Sequence, residues 1–334
     1  MDLPNLKKDI LFSSLTTLKI GGPIKYFLEV NSEQELTEAV KWAKEKNIPF
    51  LIIGSGSNLL VSDQGFKGLV IKNTISGISD QRSEQSFSPT QTSAGGQKRL
   101  RATHLVKAQT GTDLQELVNY TISQGLGGLE RLTGVPGTVG GAIFGNAGAY
   151  GQTISDFLGQ VSCLDPETLK TISLSKKECQ FGYRASGFRK NKLIILEVTF
   201  ELIKADQNQL KKEAKEVLEK RIKKYKPGVL CPGSFFKNIL MKNIPKQTKK
   251  LIPKERDYFG KVPAWFFLDE VGAKGDRLGQ IEIADFHGNL FINLGKGGAS
   301  DFYNLAKKYY QKVKEKFGIE LEPEVQLINL PTIK

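Results

Sequence analysis

The chain has 334 residues, 39% of them hydrophobic and 25% charged, with 48 Lys and Arg against 35 Asp and Glu for a net charge of +13. This is the balance of a globular protein of about two domains and excludes a disordered chain. Three widely spaced cysteines (Cys163, Cys179, Cys231) argue against a disulfide framework, and two histidines (His104, His287) cannot build a zinc-type cluster, so no metal site is expected.

In chain order, the opening MDLPNLKKDILFSSLTTLKI lacks the continuous apolar core of a signal peptide, and no later apolar run reaches membrane-spanning length. A soluble, cytoplasmic protein is expected. Gly21-Gly22-Pro23 reads as a turn into a strand at 25–30. Ser32 and Glu35 form a capping box, and Leu36, Ala39, Val40 and Ala43 give the apolar face of a helix ending near Lys46. The apolar run Ile48 to Ile53 is a strand that enters Gly54-Ser55-Gly56-Ser57-Asn58. This resembles a dinucleotide fingerprint but fails as one: Leu59 stands where the third glycine belongs, and no amphipathic helix follows.

A strand at 68–72 precedes a polar stretch, 79–102, expected to be a mobile surface loop without a site role. After a strand at 103–109, Thr112 and Gln115 read as a second capping box for a helix whose face is Leu114, Leu117, Val118, Thr121 and Ile122. Ten of the 27 residues from 125 to 151 are glycine, interleaved with Leu126, Leu129, Leu132, Val135, Val139, Ile143 and Phe144. Those apolar residues demand burial, so the stretch is packed backbone and not a flexible linker. It suits either main-chain N–H groups turned toward a phosphate or a tightly turned core loop. Two such glycine turns beside apolar strands fit one long diphosphate ligand. Strands follow at 159–164 and 193–202.

Beyond Ala205 the composition turns lysine-rich. Leu210, Ala214, Val217, Leu218, Ile222 and Tyr225 mark a helical stripe that Pro227-Gly228 ends. Two domains are expected, residues 1–204 and 205–334. The second closes with a helix from Asp301 to Phe317, capped by Gly318, and a strand over 321–328.

Three polar residues in small or apolar surroundings are candidates for chemistry. Arg184 offers a planar fork for a carboxylate or phosphate, against the alternative of a surface ion pair. Ser234, in Pro232-Gly233-Ser234-Phe235-Phe236, is a proton donor or a turn hydroxyl, and the G-x-S-x-G frame of a nucleophile elbow is missing. Glu324 is a carboxylate needing a cation or donors if buried, or a strand-edge residue facing solvent. The basic residues are dispersed and lack an aromatic-interleaved motif, so no nucleic-acid partner is expected.

The segments TLKIGGPIKYF, LIIGSGSNLLVSD, GLGGLERLTGVPGTVGGAIFGNAGAYG, FGYRASGF, GSFFKN and LEPEVQLI occur in that order. Together they resemble the UDP-N-acetylenolpyruvoylglucosamine reductase family, from about Thr16 to Ile328. The resemblance implies an α+β fold: a two-subdomain FAD-binding fold of the vanillyl-alcohol-oxidase (PCMH) type with a C-terminal α+β substrate-binding domain. It implies that Gly54, Ser55, Gly56, Ser57 and Asn58 line the FAD diphosphate. Gly134, Val135, Pro136, Gly137, Thr138, Gly140 and Gly141 would run along the cofactor, with Asn146, Ala149 and Tyr150 close by.

Family catalytic roles map onto Arg184, Ser234 and Glu324. NADPH would reduce FAD, flavin N5 would pass hydride to C3 of the enolpyruvyl ether of UDP-N-acetylglucosamine, and Ser234 would protonate C2. Lys237 and Asn238 would reach the substrate. Leu230-Cys231-Pro232 and Ile239 depart from the family pattern, and the short span from Arg184 to Ser234 suits its compact subtype. The partners implied are small molecules, with no membrane or nucleic acid, for a protein acting as a monomer. Another flavin oxidase of this fold acting on a sugar or lactone, and a basic nucleotide- or nucleic-acid-binding protein that has lost catalysis, are the alternatives.

Overall fold

The computed structural model describes residues 3–81 and 103–334. Two compact units form, one from Met1–Leu28, Ala43–Lys72 and Ile222–Lys334, the other from Glu29–Trp42 and Asn73–Arg221. Apart from 79–81, which continue the strand Ile78–Gln81, the expected surface loop lies outside the described residues.

The first unit holds a four-stranded sheet in the order Ile10–Leu11, Pro23–Val30, Phe66–Asn73, Phe50–Ile53. Its last two strands are parallel, so the chain must cross over between them. That crossover carries the turn 54–58 and then the short strand Leu59–Val61. Leu59–Val61 pairs in parallel with Gln326–Ile328, near the chain's end. Phe12, Ile24, Phe27, Ile53, Leu59, Val61 and Val70 pack as one apolar cluster. A larger cluster gathers Phe235, Phe236, Phe267, Phe291 and Phe302, with the ring of Phe235 4.8 Å from Phe236 and 5.1 Å from Phe302. The helix Ala299–Phe317 closes it, burying Phe302, Leu305, Ala306, Tyr309, Val313 and Phe317 at helical spacing. Gly318, at φ 66°, ends that helix and returns its N–H to Lys314.

The second unit is a six-stranded sheet. Its main path runs Thr171–Ser175, Leu158–Leu164, Ile194–Lys204, Thr103–Gln109, Ile78–Gln81, all antiparallel, with Leu126–Gly127 added on Ile194–Lys204. The helices Leu114–Ser123 and Val139–Gly145 pack their apolar residues into this unit's core.

The helix at 33–45 and its buried face, Leu36, Ala39, Val40 and Ala43, are as expected. The cap of the helix Leu114–Ser123 lies one residue later than expected. Asp113 is the cap, accepting from Gln115 and Glu116 N–H, while the Thr112 hydroxyl accepts from Gly77 N–H. Gln115 instead accepts the Gly134 N–H at 2.6 Å, which ties the helix to the glycine stretch. In the helix Gln207–Lys224 the stripe holds for Leu210, Ala214 and Val217, but Leu218 and Ile222 are 40% and 46% exposed. The final strand is shorter than expected, Gln326–Ile328, so Glu324 precedes it.

Gly21-Gly22-Pro23 serves packing. The Gly22 N–H reaches the Ser62 carbonyl at 3.0 Å, and a Cβ on Gly22 would overlap the Asp63 carbonyl. Gly65, at φ 71°, lies equally close to Pro23, and its Cβ would overlap the Pro23 carbonyl. Gly65→Ala therefore meets both a left-handed backbone and a backbone clash, and should lower unfolding free energy by about 3 kcal/mol. Urea unfolding checks this; a midpoint matching that of the unaltered protein would contradict it.

Candidate active site

In the first unit the crossover turn is welded to the chain's end. Asn58 Nδ2 donates to the Glu324 carbonyl at 3.2 Å, and Gln326 N–H donates to the Asn58 carbonyl at 3.0 Å. Glu324 N–H in turn donates to the Phe235 carbonyl at 2.7 Å, and Lys237 N–H to the Glu322 carbonyl at 2.8 Å. Thr17 Oγ1 adds a second tie, donating to the Cys231 carbonyl at 3.0 Å. Three expected features (the turn 54–58, Ser234 and Glu324) thus lie on one hydrogen-bonded frame. A strand–turn crossover leaves backbone donors and acceptors that buried neighbours must satisfy, which explains why remote segments are recruited.

Ser234 is half-buried and held by its bridge to Leu290, with the next N–H, that of Phe235, donating to Asn289 at 3.0 Å. Gly233 before it has φ 88°, a turn conformation natural to glycine. Two polar groups converge on the serine: Lys224 Nζ, which donates to it at 3.4 Å, and Tyr225 OH at 3.2 Å, a pair in which either hydroxyl can donate. Lys237 is paired with Glu322, and Asn238 Oδ1 accepts from Ala264 N–H at 3.4 Å.

Close to these residues is a cavity of about 340 Å³ lined by Lys224, Trp265, Asp269, Lys274, Phe286 and His287. Its size is that of a small-ligand pocket. Lys226 lies 4.2 Å over the Phe286 ring and Arg256 4.8 Å over Trp265. His287 Nδ1 accepts from Asn289 N–H, so its neutral ring carries hydrogen on Nε2, which is buried without a hydrogen-bond partner among the described residues. Asp269 uses Oδ2 on Lys274 at 2.7 Å, and its buried Oδ1 has no hydrogen-bond partner either. A spare donor and a spare acceptor in one basic, aromatic cavity suit a polar ligand. Sequence reasoning missed this cavity. Its signal was there, two lysines beside Tyr225 and Trp265 near Asp269, but spread over 60 residues of chain.

In the second unit Arg184 sits in a tight turn at φ 50°, bridged Gly182 to Ala185. Its Nη2 donates to the Gly148 carbonyl at 2.6 Å and Nη1 to the Asn146 carbonyl at 3.5 Å. The end of the glycine stretch therefore holds the guanidinium.

The glycines of that stretch divide by steric surroundings. Gly134 (φ 75°) and Gly137 (φ 132°) are turn glycines, and a Cβ on Gly140 would press on Thr110 at 2.8 Å. Gly145 would meet nothing within 4 Å, and Gly141 only Thr138 Oγ1 at 3.6 Å. These two have no packing reason to be glycine. Next to them Asn146, buried and left-handed at φ 46°, donates through Nδ2 to Gly182 while its buried Oδ1 lacks a hydrogen-bond partner among the described residues. Open space over glycine plus an orphaned acceptor fits a flat ligand with hydrogen-bond donors, as a flavin is. Gly145 was not among the expected residues.

Comparison with known proteins agrees. Residues 24–169 match the FAD binding domain family, and residues 227–328 match the UDP-N-acetylenolpyruvoylglucosamine reductase C-terminal domain. The chain is 36% identical to the UDP-N-acetylenolpyruvoylglucosamine reductase of Solibacter usitatus, covering 98% of both. It is 32% identical to that of Clostridium novyi, covering 98% of this chain and 94% of the relative. Among solved structures, the UDP-N-acetylenolpyruvylglucosamine reductase of Thermus caldophilus superposes with a TM-score of 0.71 at 27% identity, covering 97% of this chain and 99% of that one. An FAD-binding domain followed by the reductase family's C-terminal domain is thereby established.

Burial, and then the Lys224 charge, depress the His287 pKa to about 3 from 6.5. The unfolded chain thus takes up the proton first, so this contribution to stability is present above pH 6.5 and is lost as pH falls from 6.5 toward 3. Between about pH 7.5 and about pH 4.5, His287→Gln should lose less thermal stability than the parent. Parallel melting curves for both proteins would show the idea wrong.

Proposed function

The chain belongs to the UDP-N-acetylenolpyruvoylglucosamine reductase family, and on that basis we propose that it reduces the enolpyruvyl ether of UDP-N-acetylglucosamine to the lactyl ether, UDP-N-acetylmuramate. FAD is the resident cofactor, with NADPH as the electron donor and a monomer in the cytoplasm as the working form. The observation that carries this reading is the frame joining the turn 54–58, Ser234 and Glu324.

When bound, FAD supplies hydride to the substrate. The turn Gly54, Ser55, Gly56, Ser57 and Asn58 would hold the diphosphate, and Gly141, Gly145 and Asn146 would bed the remainder of the cofactor. The division into an FAD-binding domain, 1–204, and a substrate-binding domain, 205–334, belongs to the same reading. The two matched families, over 24–169 and 227–328, support it.

The substrate brings an anionic diphosphate, a pyrimidine and a carboxylate. The cavity with Lys224, Lys274, Trp265 and Phe286 suits the first two, its spare donor and acceptor serving the polar edge of the base. Reduction at C3 builds negative charge toward the carboxylate. Arg184, a fixed fork, and Glu324 would stabilise that charge, and such stabilisation is commonly the largest protein contribution to rate. Ser234 Oγ would then deliver its proton to C2.

Ser234→Ala should leave flavin reduction by NADPH unaltered while slowing reoxidation by the enolpyruvyl substrate about 100-fold or more, the usual worth of a positioned proton donor. Stopped-flow absorbance resolves the two half-reactions, and unchanged reoxidation would remove Ser234 from this role. A Cβ at Gly145 meets nothing within 4 Å, so Gly145→Val would fill the open surface. Its FAD affinity should fall about tenfold or more by equilibrium dialysis, with apoprotein melting unaltered; full affinity would sink that placement.

A further inference from the structure

The mechanism above leaves Ser234 as an alkoxide each time it gives up its proton, and something must make that departure and its reversal easy. We propose that Lys224 and Tyr225 form a two-donor cradle on Ser234 Oγ that aims its proton outward and returns a proton from Tyr225. This rests on Ser234 being the proton donor.

The helix Gln207–Lys224 brings both groups: Lys224 is its last residue, Tyr225 follows, and Pro227 prevents a further turn. Their polar atoms lie 3.4 and 3.2 Å from Ser234 Oγ. A serine hydroxyl has one proton and two lone pairs, whereas an ammonium can only donate. Lys224 therefore occupies one lone pair. If Tyr225 occupies the other as donor, Ser234 has no inward acceptor, and its O–H is left for an outside acceptor such as C2. The reverse arrangement, Ser234 donating to Tyr225, would withhold the proton that the reaction needs.

The step balances. The Ser234 O–H bond breaks as C2–H forms, and the Tyr225 O–H bond breaks as the serine O–H re-forms. The negative charge moves to the tyrosine oxygen, and solvent water reprotonates it. The Lys224 ammonium, 3.4 Å from Ser234 Oγ and 4.8 Å over the Tyr225 ring, offsets the charge at either end of this transfer. Lys224 and Tyr225 act through Ser234 and so are positioning residues. Neither was singled out from sequence: Tyr225 read as the tail of an apolar stripe.

The test uses FAD-loaded enzyme reduced by NADPH and then mixed with the enolpyruvyl substrate in H2O/D2O mixtures. Tyr225→Phe should reduce flavin at the parent rate, reoxidise it about tenfold to 100-fold more slowly at saturating substrate, and change a two-proton inventory to a one-proton one. Lys224→Met should slow the same step, with Lys224→Arg restoring most of the rate. Calorimetry on the oxidised holoenzyme, where no turnover occurs, should find the substrate affinity of Tyr225→Phe unchanged within about threefold. Parent-rate reoxidation in Tyr225→Phe, or slowing with the two-proton inventory intact, would overturn the proposal. Normal reoxidation in Ser234→Ala would overturn the assignment of the proton to Ser234, a separate failure that this variant alone reveals.

Discussion

The site depends on one set of hydrogen bonds, those that close the crossover turn onto the chain's end. Two parallel strands cannot be joined by a tight hairpin, so the segment between Ile53 and Phe66 must leave the sheet with polar backbone exposed. Asn58 meets that demand by accepting from Gln326 and donating to Glu324, whose own N–H goes on to Phe235. A buried amide left unmatched costs about 1–3 kcal/mol, so the three segments hold one another in register. Ser234, one residue before Phe235, inherits its position from this constraint.

Aromatic packing stiffens the same frame. Phe235 and Phe236 are fully buried among Phe291 and Phe302, and Asn289 bonds both the N–H and the carbonyl of Phe236 through its side chain. GSFFKN thus couples a mobile kind of residue, a glycine-flanked serine, to the least mobile kind, a packed aromatic pair. Chemistry at Ser234 needs this, since a proton donor misplaced by an ångström loses much of its effect.

The surplus of positive charge is distributed with purpose where the cavity lies. Lys224 and Lys274 line it, and Lys226 and Arg256 stack on its aromatic walls. Burial and the neighbouring lysine together keep His287 neutral, so the ring accepts from Asn289 N–H through Nδ1 and is not another cation. Lys211, Lys212, Lys215, Lys220 and Lys223, on the helix 207–224, are exposed and are solvated surface.

Local signals were legible wherever one element answered to its own periodicity. The face of the helix Glu33–Glu45, the Gly318 cap and the strand entering Gly54 all follow from spacing and composition. The strand Thr171–Ser175 went unread because it is a short, mostly exposed edge with only Ile172 and Leu174 as its apolar residues. The order of six motifs was enough to identify the family. What sequence could not determine is which glycine is packing and which is open, because a Cβ clash depends on segments far along the chain: Gly22 on Asp63, Gly140 on Thr110, Gly145 on nothing. Nor could it place Lys224 and Tyr225 on Ser234, a meeting set by where one helix ends and where Leu290 and Asn289 fix the serine's backbone. Composition and periodicity determined the elements and the chemistry available; only long-range packing decided which side chains share an atom.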